Sequence, residues 1–234
     1  MSSGWPSRKL VPRPFAMEKT YHTVVFDFDN TLADSSRGVV ECVNHALGRM
    51  GFAAADPGRI RGTIGLSLPD TFIRLAGGEH ARRSPEFVRR FTARADEVMA
   101  GMTAVFPYAP DALRKLREGG FGLGIVSTKY RYRIEDVLGR NGLTGIVDVI
   151  VGGEDVPAHK PDPAGLRAAI GRLGSAAAEV VYAGDSPVDA ETAQRCGVDF
   201  AAVLSGVSDG KAFDRFPVVH AAGDAARLAD WLLA

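Results

Sequence analysis

Two aspartates one residue apart, Asp27 and Asp29, follow directly on the apolar run Thr23–Phe26. That run is short and rich in β-branched residues, the composition of a buried strand. Carboxylates at the end of a buried strand are costly to desolvate unless they are paired or bind a cation. In an open parallel sheet, the carboxyl ends of the strands are where ligands bind. The pair therefore reads as reactive acids at a sheet edge, beside a metal ion. Side chains alternate along a strand, so Asp27 and Asp29 are expected to point the same way. One can attack phosphorus as a nucleophile. The other can give a proton to the leaving oxygen and later take one from water.

Three further groups fit the same chemistry. Ser127-Thr128-Lys129 ends the run Gly124-Ile125-Val126. Hydroxyls and backbone N–H groups there can hold phosphate oxygens, although a plain strand-to-helix turn has the same composition. In His159-Lys160-Pro161-Asp162-Pro163, Lys160 stands just before a helix start, with Asp162 as N-cap and Pro163 as first helical residue. A phosphoryl group in transit needs such a fixed positive charge. In Tyr182-Ala183-Gly184-Asp185-Ser186-Pro187-Val188-Asp189, a strand again ends in an acid. Asp189 also has the spacing of a capping-box partner for Ser186. Asp185 has no such duty and reads as a metal ligand. A few hard oxygen ligands, with water and phosphate completing the shell, suit Mg²⁺.

The elements that would position these groups alternate. Strands are expected at Thr23–Phe26, Phe121–Val126, Asp148–Val151, Val180–Ala183 and Phe200–Leu204. Helices are expected over Asp111–Glu118, from about Tyr132 to Gly139, from Asp162-Pro163, from Ser186-Pro187 and over Asp224–Leu233. This alternation predicts an α/β fold, a parallel sheet covered on both faces. The gap between the first two strands is too long for one crossover. It reads as helices only: Val39–Met50 with one apolar face, a start at Asp56-Pro57, Leu68–Leu75, and Ser84-Pro85 to about Met99. A helical block straight after the acid pair suggests a lid, with Asp34-Ser35 and Ala104–Tyr108 as its hinge strands. The expected division is a core of residues 21–35 and 105–234, and a helical cap of residues 36–104.

The chain has 234 residues, with 28 basic and 28 acidic side chains. Zero formal charge argues against a broad nucleic-acid surface. No apolar run approaches the ~18 residues of a membrane span. The first twenty residues carry three prolines and scattered basic residues, without the apolar stretch of a secretion signal. They read as a disordered extension or an expression remnant, with Met17 as an alternative start. Cys42 and Cys196 fit no metal spacing and read as buried thiols of a cytoplasmic protein.

Taken in order, DFDNT, the ST turn after GIV, HKPDP and GDSPVD resemble the four motifs of the haloacid dehalogenase superfamily, over residues 22 to 233. TIGLSLPDTF, GIVSTK and GGEDVPAHKPDP look like its phosphoglycolate phosphatase and pyrophosphatase branch. The resemblance implies a Rossmann-like, doubly wound parallel sheet with an inserted all-helical cap. It implies that Asp27 is the nucleophile and Asp29 the general acid and base. Ser127 and the Thr128 N–H would hold the phosphoryl group, and Lys160 would neutralise it. Mg²⁺ would be bound by Asp27, the Asp29 carbonyl and Asp185, supported by Asp189. Asn30 stands where the family usually has glycine and tolerates a left-handed backbone. Leu68 follows Ser67 where sugar-phosphate mutases of this type carry arginine, which disfavours a mutase.

The expected substrate is a small phosphorylated metabolite, phosphoglycolate or pyrophosphate. A pentose phosphate attached to a natural product is the larger alternative, and a non-catalytic phosphate-binding regulator the alternative of another class. Arg59, Arg61 and Ile64–Thr71 are candidates to face the substrate, with a solvated helix face the other reading for the two arginines. The expected state is monomer or homodimer.

Overall fold

The computed structural model describes residues 21–206 and 210–234; the expectation for residues 1–20 lies outside the described residues. In chain order the strands are β1 (Thr23–Phe26), β2 (Ala33–Asp34), β3 (Ala104–Val105), β4 (Gly122–Val126), β5 (Val149–Val151), β6 (Val180–Gly184), β7 (Asp199–Val203) and β8 (Val218–Ala222). The helices are α1 (Ser36–Arg49), α2 (Pro57–Arg61), α3 (Leu68–Ala76), α4 (Ser84–Met102), α5 (Ala109–Glu118), α6 (Arg131–Arg140), α7 (Ala164–Leu173), α8 (Pro187–Cys196) and α9 (Ala225–Leu232).

Six strands form one sheet in the order β5-β4-β1-β6-β7-β8, and every pair in it is parallel. Alternation of side chains divides each strand between two cores. Val24 and Phe26 face the layer built with α5, α6 and α9, while Val25 faces the layer built with α7 and α8. This is the doubly wound α/β arrangement that the strand–helix alternation predicts. The chain runs from β1 outward to β4 and β5, then returns to the other side of β1 for β6, β7 and β8. The reversal makes the carboxyl end of β1 the switch point, where such sheets bind ligands.

Helices α1 to α4 stand apart from the sheet, around a core of their own that includes Cys42, Val43, Ile60, Phe72, Phe87 and Phe91. Local chemistry sets their starts as expected. Asp56 accepts from Arg59 N at 3.0 Å with Pro57 in the first turn, and Ser67 accepts from Asp70 N at 3.2 Å. The block leaves and rejoins the sheet body through β2 and β3, which pair antiparallel, Ala33 with Val105 and Asp34 with Ala104. β2 lies one residue earlier than expected, with Ser35 in the N-cap position of α1, and β3 is shorter than expected, since Pro107 has no N–H to extend it.

Three other details differ from expectation. Strand β8 has no counterpart in the sequence reading; it is an edge strand of mixed polarity, VVHAA, with only its last residue fully buried. Helix α7 begins at Ala164, and Asp162 Oδ1 accepts from Ala164 N at 2.9 Å, so Asp162 makes a local turn and Pro163 occupies the cap. Cys42 is buried and its thiol is pushed up to about 12 by burial, whereas Cys196 is only half-buried. No described helix is long and apolar enough to cross a membrane.

Candidate active site

Strand β1 ends at Phe26, as expected, and Asp27 and Asp29 lie beyond it. Asp27 N donates to Ala183 O at 2.8 Å, which ties the chain to the end of β6. The backbone then turns at Asn30, the one described residue other than glycine with positive φ, at 61°. Asn30 N donates to Ala33 O at 2.7 Å, and Ser205 Oγ donates to Asn30 O at 2.7 Å. Asparagine bears this conformation at little cost. As a result Asp27 and Asp29 have different partners, and each has a lysine of its own.

Asp27 meets Lys160, whose Nζ lies 2.9 Å from Asp27 Oδ1 without the alignment of a hydrogen bond. Lys160 Nζ also donates to Asp189 Oδ1 at 2.6 Å and to the Tyr182 hydroxyl at 3.3 Å. All four residues are buried. Burial opposes the charge of Lys160, but Asp189 and Asp27 outweigh it and hold the ammonium well above its ordinary range. Asp189 is engaged through both oxygens. Oδ1 also contacts Tyr182 at 3.0 Å, and Oδ2 accepts from Ser186 N at 3.1 Å and Ser186 Oγ at 2.6 Å. The capping box expected from the spacing is thus present, and the same carboxylate positions the lysine.

Asp29 meets Lys129. Nζ lies 3.0 Å from Asp29 Oδ1 and 3.2 Å from Oδ2, with both side chains buried. Ser35 Oγ donates to Asp29 Oδ1, Lys129 Nζ lies 3.1 Å from Ser35 Oγ, and Thr103 Oγ1 lies 3.3 Å from it. Ser35 and Thr103 stand at the entrance to and exit from the helical block, so both ends of the block are wired to this carboxylate.

Asp185 follows β6 and is buried. Its ligand oxygen and those of Asp27 and Asp189 lie within 4.8 Å of one another. Burial, then repulsion from Asp189 and Asp27, pushes the Asp185 carboxyl up to about 8. Burial pushes Asp27 up to about 7, against the pull of Lys160. Two buried carboxyls that resist ionisation together are short of positive charge, and a hard dication would reverse both shifts. The donor set therefore fits Mg²⁺. Asp27 and Asp185 have oxygens free for it; Asp189, already saturated, fits a supporting place behind them. The Asp29 side chain lies outside this acidic cluster. A Cβ on Gly206 would fall 1.9 Å from Asp185 Oδ2, so a side chain there would displace the acid.

Ser127 and Thr128 follow β4. Ser127 is buried, its N–H donates to Val151 O at 3.1 Å, and its Oγ accepts from Lys129 N at 3.4 Å. Among the described residues nothing accepts from the Thr128 N–H. A cavity of about 180 Å³ opens between the sheet edge and the helical block, lined by Asp29, Thr128, Lys129 and Arg133 on one side. Ile64–Pro69 and Thr71 form much of the opposite wall. Arg59 and Arg61 do not line it; both are exposed, and Arg59 reaches Leu75 O at 3.5 Å. They belong to a solvated helix face.

The sequence reading missed Lys129, Ser35, Tyr182 and Arg133 as site residues. STK and YAGDS hold two of them within recognised motifs, so adjacency was the available signal. Ser35 and Arg133 carry no local signal, since their partners are brought in by the fold.

The chain matches the Haloacid dehalogenase-like hydrolase family profile over residues 24–203. It is similar to a phosphoglycolate phosphatase from Cereibacter sphaeroides, 39% identical over 187 residues, 78% of this chain and 85% of the relative. A phosphoglycolate phosphatase from Cupriavidus necator is 32% identical over 188 residues, 78% and 80% of the two chains. A haloacid dehalogenase-like hydrolase from Bacteroides fragilis superposes with a TM-score of 0.86 at 41% identity, over 89% of this chain and 99% of its own. A hydrolase from Pseudomonas syringae shares the fold, with a TM-score of 0.77 at 23% identity over 90% and 97%.

Proposed function

The chain belongs to the haloacid dehalogenase-like hydrolase family, and from that membership we propose that it is a Mg²⁺-dependent phosphatase acting on a small phosphate monoester through an aspartyl-phosphate. The observation that carries this reading is Asp27, buried at the switch point between an ammonium 2.9 Å away and the free carboxylate of Asp185.

In this mechanism an Asp27 carboxylate oxygen attacks phosphorus, and the bond from phosphorus to the ester oxygen breaks. Asp29 gives its proton to that leaving oxygen, then takes one from the water that cleaves the aspartyl-phosphate, releasing inorganic phosphate and free Asp27. Ser127 Oγ and the Thr128 N–H hold phosphoryl oxygens, and Lys160 neutralises charge on them and on Asp27. Lys129 and Ser35 orient Asp29. Asp27, Asp185 and the Asp29 carbonyl would hold Mg²⁺, which when bound offsets the repulsion between anionic nucleophile and anionic substrate. Residues 36–104 act as a cap that limits access of water and selects the leaving group.

A cavity of about 180 Å³ favours a small leaving group over a natural-product pentose phosphate. Leu68 in its wall favours hydrolysis over a mutase, which would need to grip a second phosphate there. The reading is tested by phosphate release from a panel of phosphomonoesters, with Mg²⁺ and with a chelator. Turnover of small esters only with the metal is expected. Failure to cleave any phosphomonoester would overturn the reading in favour of a binding protein.

Stability without metal carries its own signature. Asp27 and Asp185 titrate near 7 and 8 in the folded chain, above the ordinary value of 3.8. Between these limits the folded state holds more protons than the unfolded state, so stability contributed at low pH is lost as pH rises through 7 and 8. The Tm of the metal-free protein is therefore expected to fall from pH 5 to pH 8, and Mg²⁺ to raise it more at pH 8 than at pH 6. Thermal unfolding with and without Mg²⁺ checks this. An equal response in Asp185→Asn would contradict the assignment.

A further inference from the structure

Arg133 lies in the first turn of α6, and the mechanism above does not use it. Its side chain is only 7% exposed, yet it lines the cavity beside Asp29 and Lys129. It is held rigidly from the helical block. Nε and Nη2 donate to Asp96 Oδ1 at 3.0 and 2.6 Å, and Nη2 donates to Thr92 O at 3.1 Å. The rings of Tyr130 and Tyr132 flank the guanidinium at 4.9 and 5.2 Å. Among the described residues nothing accepts from Nη1. Nη1 is not among the fully buried unpartnered atoms, so it is open to the cavity, where a ligand oxygen can accept from it.

The charge of the cavity points the same way. Lys129 and Arg133 are the cations lining it, and its single carboxyl, Asp29, can offset only one of them. One positive charge is in excess, because Asp96 is 47% exposed and its compensation is shared with solvent. The facing wall is largely apolar, with Val39, Val43, Leu66, Leu68, Phe91 and Met99; it carries the hydroxyls of Thr63, Ser67 and Thr71 but no carboxylate.

We propose that Arg133 is a specificity-determining residue that receives a second anionic group, a carboxylate or a phosphate, carried by the leaving group of the substrate. This rests on the phosphatase reading and deepens it. The substrate class is a doubly anionic small phosphate ester, one anionic group at Asp27 and the other at Arg133. A planar, fixed guanidinium suits either oxyanion.

Three probes of similar size separate the possibilities: 2-phosphoglycolate with a carboxylate, pyrophosphate with a second phosphate, and ethyl phosphate with neither. The quantity read is the ratio of kcat/KM for each doubly anionic probe to that for ethyl phosphate. The wild type is expected to favour one of the two by about 10-fold or more, the size of a charge-assisted hydrogen bond, and which one it favours identifies the second group. Arg133→Gln is expected to shrink that ratio about 10- to 100-fold. Asp96→Asn, which loosens the clamp on α4 but keeps the guanidinium, is expected to leave the ratio within about threefold.

A wild type with no preference overturns the inference while leaving the phosphatase reading intact. Equal losses on all three probes in Arg133→Gln and Asp96→Asn also overturn it, since Arg133 would then be only an interdomain clamp. No turnover of any probe by the wild type overturns the phosphatase reading itself. Should Arg133→Gln fail to fold by circular dichroism, Arg133→Lys decides. It keeps the charge but loses the planar fork, so a severalfold fall in the ratio is expected, and a wild-type ratio overturns the assignment.

Discussion

Asp27→Asn is expected to abolish turnover, by roughly 10⁴-fold or more, as removal of an enzyme nucleophile does. The amide cannot form the acyl phosphate, and nothing nearby replaces it: Asp189 has both oxygens engaged, and the Asp29 carboxylate is turned to Lys129. Folding should not suffer in proportion. Burial and neighbouring acids push the Asp27 carboxyl up to about 7, so its surroundings disfavour the charge that the substitution removes. The metal-free variant should melt at or above the wild-type temperature at pH 8. Phosphate release, acid-stable trapping of a phosphorylated chain and thermal unfolding measure the three parts. Turnover within 100-fold of wild type, or a phosphorylated intermediate in the variant, would remove Asp27 from the role.

Lys160→Met is expected to fail on both counts. The lysine is the shared cation of Asp27 and Asp189, 2.9 and 2.6 Å away, with its side chain 4% exposed. Removing one partner of a buried ion pair leaves uncompensated charge and costs about 3–5 kcal/mol. Methionine fills similar volume, so the cost is electrostatic. Loss of the cation facing the phosphoryl group should lower kcat by roughly 10²–10³-fold or more. The destabilisation should be smaller at pH 5, where the freed acids can take up protons. Denaturant unfolding at the two pH values tests this. An unchanged midpoint at pH 8 would mean that Lys160 contributes neither pairing nor order.

Much of this was legible in sequence because it is local. A β-branched run ending in Asp-Phe-Asp, a lysine before a helix and the Ser186–Asp189 capping spacing are each decided within a few residues. Strand–helix alternation then brings their ends to one sheet edge. What could not be read depends on distant pairing. Lys129 and Asp29 are 100 residues apart, and Ser35 and Thr103 are 68 apart. No period or cap links such positions. That Asp27 and Asp29 would take different lysine partners was not legible either. The strand ends at Phe26 and the left-handed Asn30 turns the chain, so the two acids divide between two lysines. Strand β8 was hidden because an edge strand need not be apolar.

The short antiparallel ribbon of β2 and β3 has an evolutionary consequence. Its paired residues place the two chain crossings about 5 Å apart. Everything between them can be transplanted without rethreading the sheet or altering any strand's register. A graft that keeps Ser35 and Thr103, and exchanges only residues 36–102, would replace the cavity wall facing Arg133 while leaving the hydrogen bonds of Asp29 in place. The wall above the cavity can therefore diversify on a clock separate from that of the groups at the sheet edge.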